Sequence, residues 1–400
     1  MLVNLGIFYS ILFKFFGPVV SLFTILWGAK YLGAEWVGQY SYFMQFSIFF
    51  MVLFTVGLER FIYSKSDQLE FSKALKVIII PCFYRTFFIF IVASSVLMCT
   101  QFFFGVWENY TWVLYVIINS FFSFVLIFFV SLLFSIQRFS IAVFLQSCCI
   151  PLGVFLAVYF FSKNENFTVY LLVCCSTAIV SLISVVIFSL LYKKRVKFSS
   201  IHKMSFKEEI YSRFRYYKGQ LYDTAATNYD ILIAGLLLKP SELGVYAFSS
   251  RLAVAPIYLS QLIESFLMPK AKKQSFNYID AIRVSKLLLI FLSISFFLWI
   301  FLGKLILSYV GHDFLQSYSI ITILLLAHMC TLIVSPFNSL GMMQDKIAKY
   351  ISSVSSFSLI AFIVLVPLAG LWLEGLGLAL SVLFVNFFTR CTIFTKVFFR

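Results

Sequence analysis

The recurrence of long apolar segments along the whole chain most constrains its fold. A helix needs about 20 apolar residues to cross a bilayer, and about twelve segments of the 400-residue chain reach that length. They lie near 6–28, 40–61, 77–104, 110–136, 140–162, 168–192, 219–239, 245–268, 284–310, 318–340, 349–371 and 375–397. Only 12% of the residues are charged, about half the share in soluble domains. We therefore predict an all-α polytopic membrane protein.

The charges between the segments predict the orientation. Cytoplasmic connections carry an excess of Lys and Arg, and a cytoplasmic N-terminus leaves few of the 31 Lys and Arg residues outside. The outer ones are Lys30, Lys163, Lys239 and Lys304. The net charge of +15 thus indicates membrane topology rather than nucleic-acid binding. Both termini are predicted to be cytoplasmic.

The polar connection 193–218 divides the segments into six and six. We predict an N-terminal six-helix bundle over 1–192, a basic cytoplasmic linker over 193–218 and a C-terminal six-helix bundle over 219–400. A weak internal echo favours this division, because Gly38-Gln39-Tyr40 and Gly244-Val245-Tyr246 both open a helix. Six-helix units repeated in one orientation are a known transporter plan, with the substrate site between the halves.

Enzymatic classes find little support. The outer connections are too short to hold the large polar loop expected of a membrane polymerase or ligase, and no phosphate-binding glycine loop is present. The eight cysteines lie in apolar segments without metal-ligand spacing. We expect no enzyme activity, no metal and no cofactor.

Ionisable side chains inside apolar segments need a partner, a bundle interior or water. Five cations fall in the predicted helices, four of them in the inner half and Arg251 below the outer end of the eighth helix. They are Lys14, Arg60, Arg85, Arg251 and Arg390. The inner four could form an anion-attracting vestibule open to the cytoplasm, or they could snorkel to the headgroups.

Three acids form a second set. Asp223 and Asp230 are seven residues apart and therefore share one helix face, with Asp230 near mid-membrane and Asp223 near the inner surface. Arg251 lies at a similar depth to Asp230, so the two could form a structural ion pair. Asp223 and Glu264 lie near the inner surface and are candidates for proton or sodium coupling, although solvation at helix ends would explain them equally well.

Several runs of sequence resemble a known family. The resemblance covers nearly the whole chain, with its motifs in the expected order and spacing. The runs are GAKYLGAEWVGQYSYF, VGLERFIYSK, YDILIAGLLLKPSELGVYAFSSRLAV, SLGMMQDKIAKYI and VPLAGLWLEGLGLALSVLFV. They are similar to the polysaccharide flippases of the multidrug/oligosaccharidyl-lipid/polysaccharide (MOP) exporter superfamily, which translocate O-antigen and capsule repeat units.

The resemblance implies two six-helix bundles in a V around a cationic cavity, as in MATE transporters. It implies a substrate of undecaprenyl-diphosphate carrying a short oligosaccharide, flipped to the outer leaflet of the bacterial inner membrane. The diphosphate cannot cross hydrocarbon uncompensated, so the five cations are its candidate ligands. Asp223, Asp230 and Glu264 are candidates for H⁺ or Na⁺ coupling or gating. Membrane lipids, a polysaccharide polymerase and chain-length proteins are expected partners.

Two alternatives stay open. A cation-coupled multidrug exporter of the same fold should have an acid-rich cavity, whereas the deep residues here include at least as many cations as acids. A polymerase or ligase of surface polysaccharide would require the outer loop that this sequence lacks.

Overall fold

The chain is described from a computed structural model, which places fifteen stretches of residues. They are 2–55, 57–58, 61–62, 79–104, 110–136, 138–161, 169–191, 207–208, 211, 213–214, 217, 229–254, 256–258, 278–342 and 345–398. Within some helices, including 2–12 and 338–349, only the backbone is described.

The described residues are almost entirely helical. In chain order the helices are α1 (Leu2–Thr55), α2 (Ile80–Phe104), α3 (Tyr110–Ser135), α4 (Phe139–Phe144), α5 (Ile150–Phe161), α6 (Val169–Leu191), α7 (229–237), α8 (Pro240–Ala253), α9 (Tyr278–Val310), α10 (Ser317–Met342) and α11 (Asp345–Phe398). A π-helical turn, Leu145–Cys149, joins α4 to α5. In the described ranges, eight helices are long and apolar enough to span a membrane. The predicted all-α polytopic membrane fold is confirmed.

Two of these helices are bent, and each supplies two of the predicted segments. α1 breaks at Gly33, whose φ of 84° suits a residue without a side chain. α11 breaks at Leu373 and Glu374, and Glu374 has a φ of 50°. The bends divide α11 into a first arm, 345–372, and a second arm, 375–398. Sequence windows placed the ends several residues off elsewhere, since α8 begins at Pro240 and α9 at Tyr278.

The helices form two compact units. Unit 1 contains Met1–Thr24 and Phe43–Thr224, and unit 2 contains Ile25–Tyr42 and Ala225–Arg400. Residues 25–42, around the bend of α1, thus belong with the C-terminal half, which the predicted bundle 1–192 did not anticipate. Hydropathy identifies a span but not its packing partners. The bundle and linker boundaries themselves stay a prediction, because much of 192–228 lies outside the described residues.

In unit 1, the core combines phenylalanine clusters with buried hydroxyls and amides. The Phe54 ring lies 4.8 Å from that of Phe90 and 5.7 Å from that of Phe124, centroid to centroid. The Thr177 hydroxyl donates to Asn119 Oδ1 at 2.8 Å, which joins α6 to α3. Such hydrogen bonds satisfy polar groups where no water is present to do so.

In unit 2, a core cluster links α9, α10 and both arms of α11. Its buried members are Ala281, Val334, Phe337, Ile351 and Ile393. Many large apolar side chains of α9 and α11 lie on the outside instead, as lipid-facing positions do in a membrane protein.

Candidate functional site

The turn between α7 and α8 builds the part of unit 2 that carries Asp230. The backbone N–H of Lys239 donates to Glu242 Oε2 at 3.4 Å, and Pro240 occupies the first turn of α8. Proline suits that position because its missing N–H needs no partner there. The tight reversal brings the carboxylate-bearing turn of α7 against the middle of α8.

Asp230 is the centre of a buried polar cluster. Its side chain is 9% exposed. The hydroxyl of Tyr246 donates to its Oδ2 atom at 2.9 Å, and the hydroxyl of Ser250 donates to the same oxygen at 3.3 Å. Tyr246 is completely buried. Hydroxyl donors from the next helix thus partly replace the water that the carboxylate lost on burial.

Arg251 and Tyr40 complete the surroundings of this cluster. Arg251 follows Ser250 on α8, is half-buried, and lies near enough for its charge to act on both Asp230 and Tyr40. The Tyr40 ring stacks on that of Trp36, with centroids 5.0 Å apart and planes 4° apart. Asp230 thus accepts hydrogen bonds from two hydroxyl groups and from the backbone N–H of Ile231, while Arg251 acts on it through its charge.

Glycines let three helices meet around the cluster at backbone distance. A Cβ atom on Gly244 would lie 1.7 Å from the carbonyl oxygen of Ala34, and one on Gly38 would lie 2.7 Å from the nitrogen of Gly244. A Cβ on Gly235 would lie 2.2 Å from the Tyr42 ring. The crossing joins α1 beyond its bend to α7 and α8, so the two Gly-x-Tyr motifs are in direct contact.

The groups around Asp230 are chemically suited to a proton or a small cation. A carboxylate and two hydroxyl oxygens are hard ligands that suit sodium or a proton. Loading the carboxylate would remove a negative charge from a region of low dielectric constant, where one charge has a large energetic effect. Tyr246 and Ser250 would still have an acceptor oxygen, but their hydrogen bonds to a neutral group would be weaker than those to a charged carboxylate. Loading would therefore weaken contacts that hold α7 against α8.

The other predicted cations lie in two different units. Arg85 is half-buried on α2, next to Thr86. Arg390 is half-buried on the second arm of α11, near Cys330, and its Nε atom is buried without a hydrogen-bond partner among the described residues. Lys14 lies on α1, where only the backbone is described.

Three predicted site residues, Arg60, Asp223 and Glu264, fall outside the described residues. Among predicted site residues with described side chains, Asp230 and Arg251 are brought into one cluster. The substrate-binding, coupling and gating roles stay predictions for the whole set.

Sequence reasoning missed Arg213. This residue of the basic connection is 1% exposed. Its Nη2 atom donates to the Thr86 hydroxyl at 2.9 Å and to the backbone carbonyl of Thr55, the last residue of α1. A cation at the end of a helix satisfies carbonyl groups that lack intrahelical partners. The sequence did not reveal that Arg213 is buried, because it belongs to a basic run that as a whole indicated solvent exposure.

Tyr246 and Ser250 were also missed as partners of Asp230. The available signal was the Gly-x-Tyr echo, which placed Tyr246 at the mouth of a helix but did not say what it faces. No group of three or more His, Cys, Asp or Glu residues within the described ranges could hold a metal ion.

Comparison with known proteins identifies the fold. No protein family and no curated protein matches the sequence. Among solved structures, the chain is similar to the lipid II flippase MurJ in its inward closed conformation, with a TM-score of 0.78 and 17% identity over 98% of this chain and 87% of MurJ.

Two MATE structures give TM-scores of 0.60. One is a mutant of the Vibrio cholerae transporter VcmN, at 13% identity over 98% of this chain and 95% of that one. The other is an inward-facing multidrug resistance transporter of the MOP superfamily, at 11% identity over 97% of both chains. The chain is therefore a multi-pass membrane protein with the fold that MurJ shares with the MATE transporters.

Proposed function

We propose that the protein is a flippase for lipid-linked oligosaccharide. Its substrate would be undecaprenyl-diphosphate carrying an O-antigen or capsule repeat unit, moved by alternating access from the cytoplasmic to the outer leaflet of the bacterial inner membrane. The observation that carries this proposal is the similarity to a lipid II flippase over 98% of the chain, with a TM-score of 0.78. The substrate itself is inferred from the sequence resemblance.

The basic side chains support an anionic substrate. Arg85, Arg251 and Arg390 are half-buried within apolar helices, where cations are rare and commonly mark a substrate pathway. Arg390 also keeps a buried Nε donor that no described residue satisfies. Arginine forms bidentate hydrogen bonds with phosphate oxygens. We assign these residues, together with Lys14 and Arg60, to the diphosphate or to anionic sugars.

The buried carboxylate supports ion coupling. Asp230 is the described acid best placed for it, because it is buried and in contact with donors on another helix. Asp223 and Glu264 remain candidates from sequence. Binding of H⁺ or Na⁺ at Asp230 would alter the contacts between α7 and α8. This would couple an ion gradient to a change in helix packing.

Deletion and complementation test the proposal. The gene is deleted in its host, and surface polysaccharide is scored together with lipid-linked repeat units on the cytoplasmic face. We expect surface polysaccharide to fall and the intermediates to accumulate, with rescue by the wild type and by Lys304→Gln as a control far from the predicted vestibule. Normal surface polysaccharide, in a strain without a redundant flippase, would contradict the proposal.

A multidrug exporter is the second candidate, favoured by the two MATE structures with TM-scores of 0.60. It predicts that the deletion strain becomes sensitive to cationic drugs while its surface polysaccharide stays normal. The same strain therefore separates the candidates. A polymerase or ligase predicts a third phenotype, in which repeat units accumulate on the outer face. We propose no enzymatic role, although a polysaccharide polymerase and chain-length proteins would act on the product.

A further inference from the structure

An apolar groove runs between the two arms of α11, within unit 2. It consists of two adjoining cavities of about 650 and 620 Å³ that share Leu365 and Phe384 in their walls. Leu368 and Leu380 lie toward one end, and Thr392 lies at the other. The groove has its own walls and does not include Asp230 or any predicted cation.

The polar atoms in the groove already have partners. The hydroxyls of Ser358 and Thr389 bond to each other across the two arms. The hydroxyl of Thr392 donates to the Phe388 carbonyl at 2.7 Å. With these groups satisfied internally, the groove presents mainly hydrocarbon to its occupant. Phe384, at the junction of the two cavities, is 54% exposed.

The groove is somewhat longer than one leaflet is thick. On the second arm its lining runs from Leu380 to Thr392, about 18 Å along the helix, and on the first arm it runs from Ser353 to Ala369, about 24 Å. One leaflet contributes about half of a hydrocarbon core that is roughly 30 Å thick. With the termini cytoplasmic, as the charge distribution predicts, the Thr392 end lies at the inner surface. The groove then extends from the inner surface to just beyond the middle of the hydrocarbon core.

A cation closes the inner end. The ammonium group of Lys396 lies 5.3 Å from the centre of the Tyr350 ring. Lys396 follows Thr392 by four residues and Tyr350 precedes Val354 by four, so each continues a groove-lining helix face by one turn. Lys396 is exposed. A hydrocarbon groove that ends at a cation in the headgroup layer complements an amphiphile with an anionic head.

We propose that this groove binds an anionic phospholipid of the cytoplasmic leaflet. One acyl chain lies between the two arms of α11 and the phosphate lies against Lys396. The groove length of about 18–24 Å favours one acyl chain over the much longer polyprenyl chain of the transported substrate. The site depends on the predicted orientation but not on the proposed transport function.

Lipid retention by the purified full-length protein tests the site. The protein is exchanged into phosphatidylglycerol or phosphatidylcholine, and retained lipids are counted by native mass spectrometry. Lys396→Gln should weaken retention of phosphatidylglycerol about fivefold, the effect of one cation near an anionic surface. It should leave phosphatidylcholine unchanged. Ala361→Phe, which fills the groove, should reduce retention of both lipids.

Lys304→Gln is the matched control. Lys304 lies at the same 5.3 Å from a tyrosine ring, that of Tyr318, but in the predicted outer half. The Lys304→Gln variant should therefore retain phosphatidylglycerol like the wild type. Ser353→Phe is a second groove-filling variant, used if Ala361→Phe fails to give a cooperative unfolding transition.

Two results would overturn the proposal. One is phosphatidylglycerol retention that Lys396→Gln leaves unchanged or that Lys304→Gln weakens equally. The other is displacement of phosphatidylglycerol from the wild type by equimolar undecaprenyl diphosphate, which would identify the groove as a substrate site. Neither result depends on whether the protein transports oligosaccharide, so failure here is distinguishable from failure of the flippase proposal.

Discussion

Gly38 and Gly244 lie in backbone contact where α1, beyond its bend, crosses the start of α8. The nitrogen of Gly244 would be 2.7 Å from a Cβ atom on Gly38. Both residues open a Gly-x-Tyr motif, and the tyrosines, Tyr40 and Tyr246, are both buried. The crossing places the predicted first half of the chain against the second within unit 2.

Substitution at this crossing should reduce stability. Gly244→Ala would place a Cβ atom 1.7 Å from the Ala34 carbonyl oxygen, so the helices must separate, at a cost of about 1–3 kcal/mol or more. We expect a lower thermal unfolding temperature in detergent. Gly311→Ala is the control, because its Cβ would meet nothing nearer than 3.7 Å. Equal transitions for the two variants would show that the crossing is not tightly packed.

Asp230→Asn should remove ion coupling while largely preserving the fold. The amide keeps the shape and an acceptor for Tyr246 and Ser250, but it cannot change charge when a proton or sodium ion binds. We expect substrate flipping in proteoliposomes to lose its dependence on the H⁺ or Na⁺ gradient. Tyr246→Phe is the comparison and should weaken transport without abolishing that dependence. Full gradient dependence in Asp230→Asn would exclude Asp230 as the coupling residue.

The Tyr246→Phe variant should also show how much the hydrogen bond from Tyr246 to Asp230 contributes to the free energy of unfolding. Removing one donor from a buried carboxylate costs about 1–3 kcal/mol. The unfolding midpoint should therefore fall relative to the wild type. Tyr309→Phe is the control, since Tyr309 is 75% exposed, and it should change stability by no more than about 0.5 kcal/mol.

A double-mutant cycle should show how strongly Arg251 and Asp230 stabilise each other. Hydroxyl groups donate to Asp230, whereas Arg251 acts on it through its charge, so Arg251→Gln and Asp230→Asn should show a coupling energy below about 1 kcal/mol. Arg251→Gln should nevertheless impair transport, because we assign Arg251 to the substrate. A coupling energy above about 1 kcal/mol would instead indicate a structural ion pair. The charge reversal of Arg251 combined with Asp230→Arg should then recover activity.

Arg213→Ala should loosen the C-terminal end of α1 and the N-terminal part of α2. The substitution leaves the Thr55 carbonyl and the Thr86 hydroxyl without their buried donor, which costs about 1–3 kcal/mol. We expect a lower unfolding temperature and faster cleavage of the 193–218 connection by trypsin. Lys207→Ala serves as the control because Lys207 is exposed in the same connection. Identical cleavage rates in the two variants would argue against an anchoring role for Arg213.

The fold class and the positions of most membrane spans could be predicted from the sequence alone. Apolar segments of about 20 residues have few alternatives to a helix, because every backbone polar group must be satisfied inside lipid. The sequence also indicated where α1 and α11 bend, because each of these double-length helices breaks between two predicted segments. The charge pattern also singled out Asp230 and Arg251 as residues that lipid would not tolerate without a partner.

The partners of those residues, in contrast, depend on how the helices pack in three dimensions. Depth in the membrane alone would have allowed Asp230 to pair with Arg251. Tyr246 and Ser250 donate to its Oδ2 atom instead, because the rotation of α8 about its own axis turns them toward it. Hydropathy does not encode that rotation. The sequence placed Arg213 among exposed cations of the basic connection. Helix packing buries it and places two buried acceptors beside its guanidinium group. Residues 25–42 joined unit 2 because glycines permit a backbone contact that no apolar count predicts. Span formation is a local property of the chain, whereas these contacts depend on how the helices pack together.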